Sequence, residues 1–299
     1  TTDLTAMGGA QYVHTFDKCF FMPSDLTAGL EYNRDRLKDN MWGYNRHTDQ
    51  TVNIYSAFLQ NEWKNDRWGI LIGGRLDKHN MVDNVIFSPR ANLRFNPTQN
   101  INLRLSYSSG FRAPQAFDED MHIENVGGTV AMIERAKDLK EEKSQSFSVS
   151  ADMYHRFGAF QTNLLIEGFY TRLTDVFVLG KPYDRGDGIL VKTRSNGPGA
   201  KVMGLTLEGK VAYLSILQIQ AGLTLQRSRY DEPHKWHDDA PAEKKIFRTP
   251  DTYGYFTATC TPIKPLSIAL SGTYTGRMLV QRMDTVSYTH LTLPTSDLV

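Results

Sequence analysis

Between Val85 and Pro114 apolar and polar residues alternate with a period of two, over Val85 to Asn96 and again over Ile101 to Ser108, with Asn96-Pro97 marking the turn between them. In the first run Val85, Phe87, Pro89, Ala91, Leu93 and Phe95 share one face. Ser88, Arg90, Asn92, Arg94 and Asn96 share the other, because successive side chains of a strand point to opposite sides. In the second, Ile101, Leu103, Leu105 and Tyr107 oppose Asn102, Arg104, Ser106 and Ser108. Strands of a soluble sandwich usually run only ~5–6 residues, whereas runs of about eleven match the ~9–11 that cross a bilayer at a tilt. Arginines facing a wet lumen and aliphatics facing lipid satisfy both faces.

The same reading along the chain predicts about twelve strands: 9–21, 26–37, 50–64, 67–80, 84–96, 99–110, 143–157, 159–179, 189–212, 216–230, 247–261 and 265–280. Tight turns are expected at 23–25, 65–66, 96–99, 157–159, 214–215 and 262–265. They alternate strictly with longer connections at 38–49, 81–83, 111–142, 180–188 and 231–246. Short turns at one end and long loops at the other are what a transmembrane barrel shows. This parity requires 188–212 to be one long strand interrupted by a bulge at Asn196-Gly197-Pro198-Gly199; if that segment is a turn, the parity breaks. Gln161, Asn163 and Glu167 oppose Phe160, Leu164, Ile166 and Tyr170, and Gln218, Gln220, Thr224 and Gln226 oppose Ile219, Ala221, Leu223 and Leu225, which again supports a polar lumen. The strand at 50–64 alternates poorly and has no assignable facing.

Composition narrows the classes without choosing among them. A net charge of +1 over 299 residues offers no basic excess for nucleic acid, and 40% hydrophobic residues carry no global membrane signal. No run approaches the ~18 apolar residues of a transmembrane helix, which excludes helical membrane proteins and says nothing against a barrel. The opening TTDLTAMGGAQYVHTF has neither an initiating Met nor a charged-then-apolar leader, so the chain is expected to begin in mid-protein.

Ser88-Pro89-Arg90, followed by Asn96-Pro97 and Gly110-Phe111-Arg112-Ala113-Pro114, resembles the SPR and GFRAP boxes of TonB-dependent outer-membrane receptors. Asp138 to Ser144 is similar to that family's NPDLKPEKS box, departing from it at Ala136, Lys137 and Glu141. Ser195-Asn196-Gly197 through Gly204 to Gly209 resembles its Asn-Gly…Gly-x-Glu strand, and Arg248-Thr249-Pro250 with Tyr274-Thr275-Gly276 resembles its late barrel. The order and spacing agree over residues 50–280, with the greatest similarity to receptors of Bacteroides type.

The resemblance implies a barrel of roughly 22 strands, closed by an N-terminal plug and set in the outer membrane of a Gram-negative bacterium. Such a receptor admits a scarce small-molecule nutrient, of ferric siderophore, cobalamin or haem type, with energy from the TonB complex. The expected fold class is therefore an all-β, antiparallel transmembrane β-barrel, incomplete at about twelve of 22 strands and lacking a plug. Residues 1–285 are expected to form this partial barrel and not to transport without the plug and the missing strands. Residues 286–299 carry VSYTHLTLPT, which has no family resemblance and reads as a non-native, sequencing-derived tail.

Ligand-binding candidates lie on the long-loop side, which the family places outside the cell. They are Trp42, Tyr44, Arg46 and His47; Arg112; Asp118, Asp120 and His122 with Glu119; and His234, Trp236 and His237 with Asp238 and Asp239. Aromatics and histidines on loops suit ligand capture, and equally suit a solvated loop with interfacial aromatics. Haem receptors of the family carry a histidine between the FRAP and NPDL boxes, where His122 lies, and the implied role is axial iron ligation. Asp118-Glu119-Asp120 and Asp238-Asp239 could hold calcium but lack EF-hand spacing. Arg90, Arg94, Arg104 and Arg112 could line a path for an anionic ligand, or pair with carboxylates of the lumen or plug; Gln161 and Glu167 complete the predicted lumen set. Cys19 and Cys260 are expected to be free thiols, since their strands lie about ten apart.

No signal for nucleophilic catalysis, nucleotide binding, a resident cofactor or a structural metal appears. The expected partners are the nutrient, the plug and TonB complex, and the lipid bilayer, with no nucleic acid. Besides a transport receptor, an outer-membrane barrel hydrolase with Ser and His at its rim, or a passive porin or adhesin, fits alternating strands; neither explains the boxes.

Overall fold

The computed structural model describes residues 1–44, 46–115, 124–126, 129–186, 188–235 and 241–280. In chain order the strands are β1 (Thr2–Cys19), β2 (Met22–Met41), β3 (Arg46–Lys64), β4 (Trp68–His79), β5 (Ile86–Thr98) and β6 (Ile101–Arg112). Next come β7 (Glu124–Val126), β8 (Thr129–Arg135), β9 (Glu142–Phe157), β10 (Phe160–Thr174), β11 (Phe177–Leu179) and β12 (Tyr183–Asp184). The last are β13 (Leu190–Asn196), β14 (Ala200–Tyr213), β15 (Leu217–His234), β16 (Glu243–Lys245), β17 (Thr252–Ile263) and β18 (Leu266–Thr275). Among the described residues no helix is long and apolar enough to cross a membrane.

A single antiparallel wall runs β1-β2-β3-β4-β5-β6-β9-β10-β14-β15-β17-β18, each strand beside its neighbour in this order, with β16 added to β15. These are the twelve strands read from the sequence. Among the described residues the wall does not close, since β1 and β18 each pair on one side.

Cross-strand register makes the two faces continuous. Trp68, Ile70, Ile72 and Leu76 of β4 lie opposite Phe95, Leu93, Ala91 and Phe87 of β5, and Leu93 and Phe95 lie opposite Leu105 and Leu103 of β6. Leu105 meets Val149, Val149 meets Gly168, Gly168 meets Leu205, and Leu205 meets Leu225. This outer face is apolar and its large side chains stay exposed: Leu105 51%, Val149 58%, Leu270 62%. Such exposure has no place in water and is satisfied by hydrocarbon. The other face carries Asn92, Ser106, Ser148 and their neighbours, and so faces the lumen.

Two aromatic belts mark where the bilayer lies. At the short-turn end Phe21 stacks on Trp63, Trp68 on Phe95, and Phe160 meets both Phe157 and Tyr213. At the other end Tyr32 meets Tyr55 and Tyr107 meets Phe147. From Phe157 to Phe147 along β9 is about 34 Å of strand, which at a ~40° tilt gives a height of about 26 Å, close to the ~25 Å apolar band of an outer-membrane barrel.

Several expectations are corrected. Residues 188–212 are not one bulged strand: β13 ends at Asn196 and belongs to a second, smaller sheet, β11-β13-β8-β7 with β12 on β13, in which β13 runs parallel to β8. The strand expected at 159–179 likewise ends at Thr174, with β11 beyond it. Turn parity nonetheless survives, because the long connection becomes 175–199. The first turn is Phe20-Phe21, not 23–25; Phe20 takes φ 61° and Pro23 enters β2 opposite a register shift between Phe16 and Cys19, where its missing N–H is tolerated. The expected loop 38–49 shrinks to a single 3-10 turn, Trp42–Tyr44, because β2 and β3 extend well beyond the upper belt. The last two wall strands are shorter than expected, starting at Thr252 and ending at Thr275. The tail 286–299 lies outside the described residues.

Candidate functional site

The long-loop end gathers several chain segments around β11. Its floor is an apolar cluster of Val176, Val178, Ala200 and Tyr230, with Leu173 and Ile246 against it. Asn196 latches the segments together: its Oδ1 accepts the Lys140 N–H at 2.8 Å, and its Nδ2 donates to the carbonyls of Lys140 at 3.0 Å and Asp175 at 2.8 Å. Gly197 follows because a Cβ there would stand 2.6 Å from Val178, and its N–H donates to Val176 at 2.7 Å. The Asn-Gly pair and the DLKEEKS segment are thus two halves of one joint.

Onto this frame the boxes bring charge. Arg112 and Glu142 face each other across β6 and β9. The Arg112 guanidinium lies 5.6 Å over the Phe177 ring, and Glu142 Oε2 accepts the Phe177 N–H at 2.8 Å. Arg135 Nη1 donates to the Pro114 carbonyl at 2.8 Å, and Arg194, only 5% exposed, sits opposite Leu179 in β13. His234, well beyond the upper belt, has its ring 6.0 Å from Tyr230 and a backbone hydrogen bond at Leu179; burial pushes its imidazole below the ordinary histidine value, against the smaller opposing effect of that hydrogen bond. β11 therefore brings together two sequence candidates, Arg112 at one end and His234 at the other.

Trp42 is exposed on the 3-10 turn, and its ring meets His47 edge-on at 4.8 Å, with His47 Nδ1 3.1 Å from Asn40 Oδ1. Tyr44 closes that turn and Arg46 opens β3 opposite Met41. Asp118, Glu119, Asp120, His122, Trp236, His237, Asp238 and Asp239 lie outside the described residues, and with them the haem and calcium expectations. Among the described residues no group of His, Cys, Asp and Glu could hold a metal ion; Cys19 and Cys260 are free.

All five lumen candidates lie on the polar face. Arg90 bonds Gln60 of β3, and Arg104 Nε donates to Asn102 Oδ1 at 2.7 Å. Arg94 is committed to the turn end, donating to the carbonyls of Asn65 at 3.0 Å and Trp68 at 3.3 Å, which suits it to holding a turn rather than lining a path. Gln161 faces Arg156, and Glu167 stands between Ser150 and Thr206.

Sequence reasoning missed the densest lumen network. Arg75 donates to Glu31 Oε2 at 2.6 Å, Asp77 Oδ1 at 2.8 Å and Ser56 Oγ at 2.8 Å, while Ser56 donates to Asp77 at 2.6 Å. The available signal was Arg75-x-Asp77, two charges on one face of a strand; what hid it was the unassigned facing of 50–64, now resolved with Ser56, Phe58, Gln60 and Glu62 inward. Replacing Arg75 by Met should cost about 2 kcal/mol, since the Asp77 carboxylate, nearly buried, loses its cation. The urea midpoint of the receptor refolded in lipid vesicles should fall; an unchanged midpoint would show the pair to be solvated.

A family model described as "TonB dependent receptor-like, beta-barrel" matches residues 2–289. A curated relative, the probable hemoglobin and hemoglobin-haptoglobin-binding protein 3 of Haemophilus influenzae, is 23% identical over 206 residues, covering 67% of this chain and 18% of its own length. The siderophore receptor PirA of Pseudomonas aeruginosa has a similar fold, with TM-score 0.68 at 18% identity over 90% of this chain and 48% of its own. The FrpB iron transporter of Neisseria meningitidis gives TM-score 0.61 at 15% identity, over 91% of this chain and 43% of its own. The chain thus spans less than half the length of each of these relatives.

Proposed function

The chain belongs to the TonB-dependent receptor β-barrel family, and from that premise we propose that it is part of the wall of a receptor that takes up a bulky iron complex with energy delivered through TonB. The family is one of outer-membrane transporters of Gram-negative bacteria, not of enzymes. The observation that carries the reading is the largely polar lumen face of the wall, which leads at the long-loop end to Arg112 of β6 and to a small sheet bearing Arg135 of β8 and Arg194 of β13. Planar, forked guanidinium groups suit an anionic ligand with several oxygens, such as a ferric siderophore. Strands and a plug supplied by the rest of the receptor would pair with β1 and β18 and close the lumen, since lipid cannot satisfy open sheet edges.

A second reading, uptake of haem, is favoured by the named ligand of the Haemophilus influenzae relative and by the position of His122. Both are tested by expressing the full-length receptor in an iron-uptake-deficient host supplied with defined ferric siderophores or haemoglobin, and in a host whose growth depends on cobalamin uptake, supplied with cobalamin. Growth on a ferric siderophore that falls with Arg112→Ser is the expected result. Growth on haemoglobin alone, lost with His122→Ala, would replace the siderophore reading with the haem one, and growth on cobalamin alone would remove both.

A further inference from the structure

On the lipid-facing side of the wall Gly168 leaves a gap between Val149 and Leu205, the residues that flank it in register. The gap widens into a groove of about 700 Å³, walled by Val149, Tyr170, Met203, Leu205 and Leu225 and bounded at its loop end by Arg227. One outward row further on, three adjacent strands each present a cation: Arg172 faces Lys201, and Lys201 faces Arg229. Lys245 of β16 lies opposite Arg229, and Lys244 Nζ donates to the Asp231 carbonyl at 2.8 Å. Among the described residues the carboxylates paired within this group of Arg172, Lys201, Arg227, Arg229, Lys244 and Lys245 are Asp231, with Arg172 at 3.1 Å and Lys201 at 2.9 Å, and Asp251, with Arg229 at 3.6 Å and Lys245 at 2.6 Å.

Height decides what this arrangement meets. Tyr170 stands opposite Phe147 of the upper aromatic belt, and Arg172 is two residues beyond it, about 7 Å along the strand. The groove therefore lies within the hydrocarbon and the cationic row at headgroup level, on the outside of the wall. Cations there gain from anionic headgroups, and forked guanidinium groups fit phosphate.

We propose that this face is a binding site for a phosphorylated glycolipid of the outer leaflet, with an acyl chain in the groove at Gly168 and its phosphate on the Arg172, Lys201 and Arg229 row. The site rests on the family reading for its orientation, because the long-loop end must face outward for the row to meet the outer leaflet. It takes no part in nutrient capture, which lies on the lumen side.

The test uses the full-length receptor, purified in detergent and titrated with bis-phosphorylated lipid A, with lipid A stripped of its phosphates, and with inorganic phosphate, bound lipid being read by native mass spectrometry. Bis-phosphorylated lipid A should bind about tenfold or more tightly than the stripped form, and inorganic phosphate should not compete at millimolar levels. R172Q/K201Q/R229Q should lose about tenfold or more of that affinity. Gly168→Leu should also weaken it while leaving folding intact, because a Cβ there meets only Val149, at 3.6 Å. If the triple variant does not fold, Gly168→Leu keeps the test. Equal binding of the stripped lipid, competition by phosphate, or full affinity in Gly168→Leu would overturn the site. Normal nutrient uptake alongside any of these failures would show that the family reading stands without it.

Discussion

Gly204→Val in the full-length receptor is expected to lower stability by about 1–3 kcal/mol, read as a reduced urea midpoint and a smaller heat-modifiable folded band after refolding into vesicles. The reason is a close approach that no side chain fits. A Cβ at Gly204 would stand 2.5 Å from the Phe169 ring and 2.6 Å from the Leu225 carbonyl oxygen. The ring is the far end of a flexible side chain and can turn away; the carbonyl belongs to the β14–β15 ladder and cannot. A Phe169→Ala background should therefore relieve only part of the loss. Full rescue would mean that the ring alone sets the constraint. The same ring-over-glycine motif recurs where Phe58 covers Gly29, Tyr255 covers Gly222 and Phe256 covers Gly272. In each, an aromatic fills the gap that a missing side chain leaves in the sheet.

Asn196→Ala should release the small sheet from the wall. Three hydrogen bonds go at once, and the Lys140 N–H and the Lys140 and Asp175 carbonyls lose their partner. At a net ~0.5–1.5 kcal/mol each, and with water able to reach part of the joint, the local cost is about 2 kcal/mol. Amide hydrogen exchange at Lys140 and at Gly197, whose N–H bonds Val176, should speed roughly thirtyfold while amides in the middle of β9 and β10 keep their rates. Asn196→Asp retains an acceptor for Lys140 but no amide donor, so it should recover a minority of the protection. Exchange that accelerates equally throughout the wall would instead show that the joint supports global stability.

The wall was legible in the sequence because its two solvents differ so sharply. Where hydrocarbon and water act on alternate residues, as from Val85 to Asn96, the period of two survives almost unbroken and the facing follows. On β3 it does not: Ile54 and Phe58 point to the lumen and Asn61 to the outside, and only pairing with β4, which places Phe58 opposite Arg75 and Asn61 opposite Ile72, fixes the facing. Pro23-Ser24-Asp25 has turn chemistry, yet the chain reverses at Phe20-Phe21, where stacking on Trp63 in the aromatic belt outweighs local preference. The small sheet was not legible at all. Its central contact joins β8 to β13 in parallel, Met132 beside Val191, across a separation that leaves no periodic trace. Of the candidate site, Arg112 and His234 were singled out in the sequence, and the structure places both beside β11. Glu142, Phe177 and Asn196 were missed because their roles come from backbone partners, which carry no compositional mark.

The joint at Asn196 also bears on how the long-loop end of such a wall would have to be transplanted. The connection between β6 and β9 supplies β8, that between β10 and β14 supplies β11 and β13, and β15 supplies His234 to Leu179. These stretches are interdigitated, so a graft of any one onto a foreign scaffold would arrive without the strand it pairs with. A chimera built from a single loop would inherit a torn sheet, whereas one that moves residues 112–141, 175–199 and 231–251 together would keep β8 with β13 and His234 with β11.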